Sequence, residues 1–395
     1  MITFIAFFGL LAWAYLIFLH PSFAHGFWRA DQRLPQLPSA QDTWPSVVAI
    51  VPARNEAETI AAVAAALAAQ EYAGGLRIVI VDDASTDGTA EIARSARGRN
   101  AFNVITAPPL MGGWTGKLAA LDAGVMHAGN TSDLLWFTDA DVVHPPETLA
   151  RLVSKMIGDD RDLVSLMVRL RCESFWERRL IPAFIFFFQM LYPFAASNDD
   201  RRSTAAAAGG CVLIRRTSLE RIGGLAAIRG RIIDDCSLAA AIKRTGGRLW
   251  LGLADPAGSR SLRSAESVGP LWSMVRRTAY AQLFHSPILL LGTVVGLSLV
   301  FLGPPFVVLT FPWHTQIYST IAGILAWAAM SWSFIPTLRD YGRKPLQTLA
   351  LPGIAALYAA MTFDSALAHY RRRGGAWKGR NYGPSSAAGN LSKSP

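Results

Sequence analysis

Leu134-Leu-Trp-Phe-Thr-Asp139-Ala-Asp141-Val-Val-His144 is the stretch on which the fold turns. Its apolar beginning, rich in aromatic and β-branched residues, reads as a buried strand. The strand ends in Asp139 and Asp141, with one residue between them. In an open α/β sheet, ligands bind beyond the carboxyl ends of the strands, where this pair falls. Two carboxylates so close repel each other unless a cation lies between or beside them. A divalent-metal site that also grips a phosphorylated ligand meets that need. The alternative is a loop whose aspartates cap the next helix. Neighbouring strands decide between the two.

Upstream, Val47-Val-Ala-Ile-Val51 reads as a first strand, and Pro52-Ala-Arg54-Asn55-Glu56 as a turn into a helix with Ile60, Val63 and Leu67 on one face. Arg77-Ile-Val-Ile-Val-Asp82 is a second strand, closed by Asp82 and Asp83. Ser85-Thr-Asp87-Gly88-Thr89 opens another helix with favoured N-cap residues. Phe102 to Thr106 is a third strand. The turn Gly112-Gly-Trp-Thr-Gly116-Lys117 precedes a helix with Leu118, Leu121, Val125 and Met126 at helical spacing. Strands alternating with helices predict an α/β domain with a mostly parallel sheet flanked by helices. Its strand ends bring Pro52–Glu56, Asp82–Asp83 and Asp139–Asp141 to one edge. That convergence favours a site over a cap.

Downstream, Leu163 to Val168 and Arg248 to Leu251 are further strand candidates. Phe175 to Phe194 is crowded with aromatics and interrupted by Pro182 and Pro193. It reads as a helix at a membrane interface, with a buried core helix as the alternative. Gly209-Gly210 marks a close backbone approach. Ile232-Ile-Asp234-Asp235 sets a second acidic pair behind an apolar pair, before a helix face of Leu238, Ala241 and Ile242.

The 395 residues carry a net charge of +10 and are 51% hydrophobic, but the apolar residues are unevenly spread. Met1–Leu19, Ser286–Leu338 and Pro345–Phe363 contain no charged residue, and about 20 apolar residues cross a bilayer as a helix. The first run lacks a basic start and a clear cleavage site, so it reads as a retained anchor. Arg29 and Arg33 behind it place residue 30 onward in the cytoplasm. Ser286–Phe311 and Ile317–Leu338 read as two spans around the outer turn Pro312–Gln316. A third span would carry the basic tail from Arg371 outward, against the positive-inside rule. Either Gly303-Pro304-Pro305 breaks the first run into a shallow hairpin, or the last run stays at the interface. Pro352 and Asp364 favour the second, because acids inside a membrane are costly. The positive charge fits an anionic membrane surface. No basic face interleaved with aromatics points to nucleic acid. Cys172, Cys211 and Cys236 form neither a disulfide framework nor a zinc motif.

The motifs Val51-Pro-Ala-Arg54-Asn-Glu56, Val81-Asp-Asp83-Ala-Ser85-Thr-Asp87-Gly-Thr89, Asp139-Ala-Asp141 and Asp234-Asp235 resemble, in order and spacing, the family 2 glycosyltransferases of GT-A fold. The resemblance covers roughly residues 46 to 280; Asp234 stands where that family usually has Glu. Gly209-Gly-Cys-Val-Leu-Ile-Arg215-Arg216, Met274-Val-Arg-Arg277-Thr-Ala-Tyr-Ala-Gln282 and Gly374-Gly-Ala-Trp377-Lys378-Gly379-Arg380 resemble the membrane glycosyltransferases associated with bacterial hopanoid synthesis. The domains implied are an N-terminal membrane anchor (1–20), a GT-A domain (46–262, with the interfacial helix at about 175–194), a C-terminal membrane region of two to three helices (286–367) and a basic cytoplasmic tail (371–395). The resemblance implies an enzyme of a bacterial inner membrane with its catalytic domain in the cytoplasm.

The chemistry follows from the residue types. Negative charge develops on the diphosphate of a nucleotide-sugar as the sugar leaves, and a divalent cation, Mg2+ or Mn2+, neutralises it. Asp141 is the expected metal ligand, and the resemblance gives Asp139 a place at the ribose or at a metal-bound water. Asp83 would accept from a uracil N–H. Pro52, Arg54 and Glu56 would line the nucleotide pocket, while Lys117 suits the diphosphate as a point charge. By the family pattern Asp235 is the base that takes the acceptor's proton, with Asp234 beside it; the alternative is an N-cap pair. Arg277 would close on the diphosphate, or else meet lipid headgroups. Polymerases of this family carry an Arg-Trp pair before their membrane helices; Trp272-Ser-Met-Val-Arg276-Arg277-Thr-Ala lacks it. One sugar per acceptor is therefore expected, moved from a UDP-sugar to a membrane lipid with inversion. Polyprenyl phosphate as acceptor, nucleotidyl transfer and a non-catalytic scaffold are the alternatives. The absence of G-x-G-x-x-G after the first strand argues against a dinucleotide oxidoreductase.

Overall fold

The computed structural model describes residues 1–20, 32–37, 43–95 and 100–371. Arg29, Asp31 and the tail from 372, with its Trp377, Lys378 and Arg380, lie outside the described residues. The chain forms two compact units.

The first unit carries the sheet. Its strands are β1 (Val47–Ala53), β2 (Leu76–Asp82), β3 (Ala101–Thr106), β4 (Leu134–Thr138), β6 (Leu163–Met167), β7 (Cys211–Arg215) and β8 (Leu249–Leu253), with β5 (Val142–Val143) and β9 (Arg260–Ser261) forming a separate ribbon. The seven-stranded order is β3-β2-β1-β4-β7-β6-β8. β1 runs parallel to β2 and β4, β2 to β3, and β6 to β8, while β7 is antiparallel to both its neighbours. The expected mostly parallel sheet is what forms. β1 is buried at every position, as a strand covered on both faces must be. One face packs on Ile60, Val63 and Leu67 of the helix Ile60–Ala68, the other on Leu118 and Leu121 of Gly116–Ala128. Gly124 lets that helix approach β1: a Cβ there would lie 2.3 Å from Ile50 Cγ2. Met126, expected on the inner face, is 75% exposed; the face turns through Gly124 and Ala128 instead. No strand was expected at β7, whose Val212-Leu-Ile214 run follows the Gly209-Gly210 pair.

The second unit gathers the apolar helices with Cys172–Ala195 and the chain from Ala265. Pro287–Leu309, Ile317–Asp340 and Pro345–Tyr370 are long and apolar enough to cross a membrane, and Ile2–Phe18 is a shorter apolar helix. Gly303-Pro304-Pro305 does not break the first of these into a hairpin. The chain stays helical through a π segment, Ser298–Leu302, into Gly303–Leu309. The π turn disturbs the i→i−4 ladder, and the Trp13 indole N–H donates to Val300 O at 2.9 Å. Thr3 Oγ1 donates to Gln316 Oε1 at 2.9 Å, so Ile2–Phe18 and Ile317–Asp340 start side by side. Helix Phe175–Leu191 continues through Pro182. It buries Phe186 against Phe334, centroids 5.2 Å apart, and leaves Phe175 and Leu191 exposed. Asp364 is not solitary: its Oδ2 accepts from the Trp272 indole at 2.8 Å and lies 3.2 Å from Arg276 Nε.

Candidate active site

The register of the parallel strands sets the site. Ala53 pairs with Asp82, and Ile50 with Phe137, so β1, β2 and β4 deliver their carboxyl ends to one edge. The loops leaving β1 and β2 are knitted together there. Asn55 N–H donates to Ser85 Oγ at 3.0 Å, Glu56 N–H to Thr89 Oγ1 at 2.8 Å and Ala57 N–H to Asp87 Oδ2 at 3.0 Å. Arg54 Nη1 donates to Asp83 O, with Asp83 Oδ2 3.8 Å away. Asp82 Oδ1 is buried and accepts no hydrogen bond among the described residues.

The β4 end supplies the charge. Lys117 Nζ, from the first turn of Gly116–Ala128, lies 2.8 Å from Asp139 Oδ1 and 3.4 Å from Asp234 Oδ2. Asp234 and Asp235 open the helix Asp234–Arg244, whose N-cap is Ile233. They are therefore first-turn residues and not caps, and their charge suits the helix N-terminus. Asp235 Oδ2 accepts from Gly209 N–H at 2.8 Å and Oδ1 from Cys236 N–H at 2.7 Å. A Cβ on Gly209 would sit 3.0 Å from Lys117 Nζ and 3.3 Å from Asp235 Oδ2, which accounts for the close approach expected of the glycine pair. Pro52, Lys117, Asp139, Gly209, Asp234 and Asp235 line one cleft.

Three carboxylates share one ammonium, and the balance appears in their protonation. Burial, and then the charge of Asp234, push the Asp235 carboxyl up to about 6, against the pull of Lys117 and two backbone N–H groups. Burial, with the repulsion of Asp141, also holds Asp139 above the usual carboxylate range despite Lys117. Burial alone would lower Lys117, but Asp139 and Asp234 more than reverse it. A carboxylate poised near neutrality is suited to take a proton.

Asp141 stands apart from this cluster. Its Oδ2 accepts from Ser261 Oγ at 2.8 Å and lies 3.2 Å from Arg263 Nε. Arg263 Nη2 also donates to Glu56 Oε1 at 2.9 Å. Neither Ser261 nor Arg263 was expected from the sequence. They arrive through the β5–β9 ribbon, where Val142 pairs with Ser261, and two-residue strands leave no periodic signal. His144, in the opening stretch, is structural. Nε2 and Nδ1 lie 2.8 Å from Thr138 Oγ1 and Ser259 Oγ, and burial lowers it to about 3. Arg277 is exposed on helix Val268–Gln282 of the apolar unit.

Among the described residues, no group of three or more His, Cys, Asp or Glu side chains is placed to hold a metal ion. The donor set still fits one. Mg2+ is commonly held by one or two carboxylates plus substrate phosphates, without an all-protein cage. Both described side-chain contacts of Asp141 use Oδ2.

Residues 48–223 match the model of glycosyl transferase family 2. An N-acetylglucosaminyltransferase of Mesorhizobium japonicum is 32% identical over 151 residues, which are 36% of this chain and 34% of that protein. An undecaprenyl-phosphate 4-deoxy-4-formamido-L-arabinose transferase of Edwardsiella ictaluri is 33% identical over 135 residues, 34% of this chain and 40% of that one. The matched part thus spans well under half the length of these relatives. A mannosyltransferase from Pyrobaculum calidifontis, solved with GDP-Man and Mn2+, superposes with a TM-score of 0.54 at 21% identity, covering 93% of this chain and 98% of that one. That likeness shows the GT-A-type fold. The family match and the relatives support a family 2 glycosyltransferase.

Proposed function

We propose that this chain is a membrane-bound, metal-dependent, inverting glycosyltransferase that moves one sugar from a UDP-sugar to a lipid hydroxyl, a hopanoid among the candidates. The observation that carries the reading is Asp235, held by two backbone N–H groups beside the surplus of carboxylates around Lys117. The acceptor O–H gives its proton to Asp235, and the oxygen forms a bond to the anomeric carbon from the face opposite the leaving group. The bond from that carbon to the diphosphate oxygen breaks, and UDP departs with the electron pair. A Mg2+ or Mn2+ ion at Asp141 would neutralise the charge developing on the diphosphate. Lys117 supplies a fixed positive charge next to the reacting centre, and Asp234 sets the field around Asp235. Asp83 takes the base N–H, and Pro52, Arg54 and Glu56 wall the nucleotide, with Asp139 towards the ribose. The apolar helices hold the enzyme in a bacterial inner membrane, with the sheet-bearing unit on the cytoplasmic side and its basic residues against anionic lipid.

A second reading, transfer to polyprenyl phosphate, is favoured by the relatives named for undecaprenyl phosphate. A phosphate acceptor has no proton to lose, so Asp235→Asn would then be mild. Incubating purified membranes with a panel of UDP-sugars, and with GDP-mannose, followed by mass spectrometry of the lipids, tests both. A lipid gaining one hexose or N-acetylhexosamine mass with UDP release supports the first reading. Release of pyrophosphate, or binding without turnover, contradicts it.

A further inference from the structure

We infer that Arg263 is a resident counter-ion that holds the Asp141 metal position against bare metal ions and gives it up only when a diphosphate arrives. The inference rests on the metal-dependent reading above and extends it to a residue that reading does not use.

Arg263 is half exposed, while the side chains it bridges, Asp141 and Glu56, are nearly buried, at 12% and 13% exposure. It spans two carboxylates from different strand ends, with Nε towards Asp141 Oδ2 at 3.2 Å and Nη2 towards Glu56 Oε1 at 2.9 Å. Two buried acids side by side need a cation, and this guanidinium meets both. The segment is held firmly enough for the role. Leu262 N–H donates to Asp141 O at 2.7 Å, Ser261 N–H to Arg169 O at 2.9 Å and Arg263 N–H to Ser261 Oγ at 3.2 Å. Only the side chain beyond this anchored backbone is free to swing. Ser261 Oγ keeps its own hold on Asp141 Oδ2, so the carboxylate stays aimed when the guanidinium leaves.

A divalent ion at Asp141 and a guanidinium at 3.2 Å from the same carboxylate repel each other, so the two compete. The donor resolves the competition. Its diphosphate brings negative charge that a metal ion and a planar, bidentate guanidinium can share. Metal and nucleotide would then bind as a pair, and the donor-free site would take up metal weakly.

Free Mn2+, followed by its electron paramagnetic resonance signal during titration into the detergent-purified full chain without nucleotide, measures this without any turnover. Arg263→Gln is expected to bind Mn2+ at least about tenfold tighter than the unaltered chain, and Arg263→Lys, which keeps the charge, to stay within about threefold of it. Asp141→Ala is expected to abolish the saturable binding in the Arg263→Gln background. Equal or weaker Mn2+ binding by Arg263→Gln, with the Asp141 dependence intact, overturns the counter-ion role and leaves the metal reading standing. Undiminished binding in Asp141→Ala overturns both.

Discussion

Asp235 and Asp364 are both acids among apolar neighbours, and each has a basic residue at hand, yet they stand in opposite electrostatic situations. Asp364, on an apolar helix, has its own cation: Arg276 lies 3.2 Å away and the Trp272 indole adds a hydrogen bond. One charge meets one charge, as economy demands of an acid in an apolar helix. Asp235 belongs to a group in which Asp139 and Asp234 already hold the ammonium of Lys117. It is left with backbone N–H donors, and burial with the charge of Asp234 raises it to about 6. A balanced acid stabilises the fold, whereas a surplus acid has affinity to spare for a proton. The contrast separates structure from chemistry more sharply than burial does.

Changes at the site have larger effects than changes at the balanced acid. Asp141→Ala is expected to lower sugar transfer by a hundredfold or more, corresponding to the several kcal/mol a metal supplies at a developing charge, and added Mn2+ should not restore it. Lys117→Met removes the charge that holds Asp235 down. Sign and direction follow: the carboxyl rises further, and the acid limb of kcat/KM, expected near pH 6 in the unaltered enzyme, moves to higher pH. Thermal unfolding should show about 1.5–3 kcal/mol of lost stability as well, from charged hydrogen bonds left unmade. Gly209→Ala places a Cβ 3.0 Å from Lys117 Nζ. It should slow transfer by roughly tenfold, since small misplacements at a reacting centre are costly, with little change in melting temperature. Asp364→Asn is the control on the balanced side. About 1 kcal/mol of stability should go with the ion pair, read by thermal melting, while kcat stays within about twofold.

Much of the sheet-bearing unit is legible in the sequence because its strands are buried on both faces and end abruptly in polar residues, acids after β2 and β4. β1, β2 and β4 carry continuous apolar runs whose ends the parallel topology must align. The Asp234-Asp235 pair was legible for the same reason, standing between an apolar pair and a helix face. Three features were not. β7 follows two glycines and was read only as a close approach. Arg263 reaches Asp141 through a ribbon of two-residue strands, too short to leave a period. The helix through Gly303-Pro304-Pro305 survives because the prolines open the segment Gly303–Leu309 directly after a π turn, and Trp13 satisfies Val300 O within that turn. In each case a partner distant in sequence supplies what local pattern lacks. Lys117 shows the limit differently. A charge suited to a diphosphate was foreseen, but its ion pairs with Asp139 and Asp234 depend on the meeting of three separate elements.

The central claim is that the surplus carboxylate at position 235 takes the acceptor's proton. Turnover of Asp235→Asn with the UDP-sugar and lipid that the unaltered enzyme uses tests it most directly. A loss of at least about a hundredfold is expected, with nucleotide binding and folding retained and no remaining acid limb near pH 6. Turnover near that of the unaltered enzyme would contradict it.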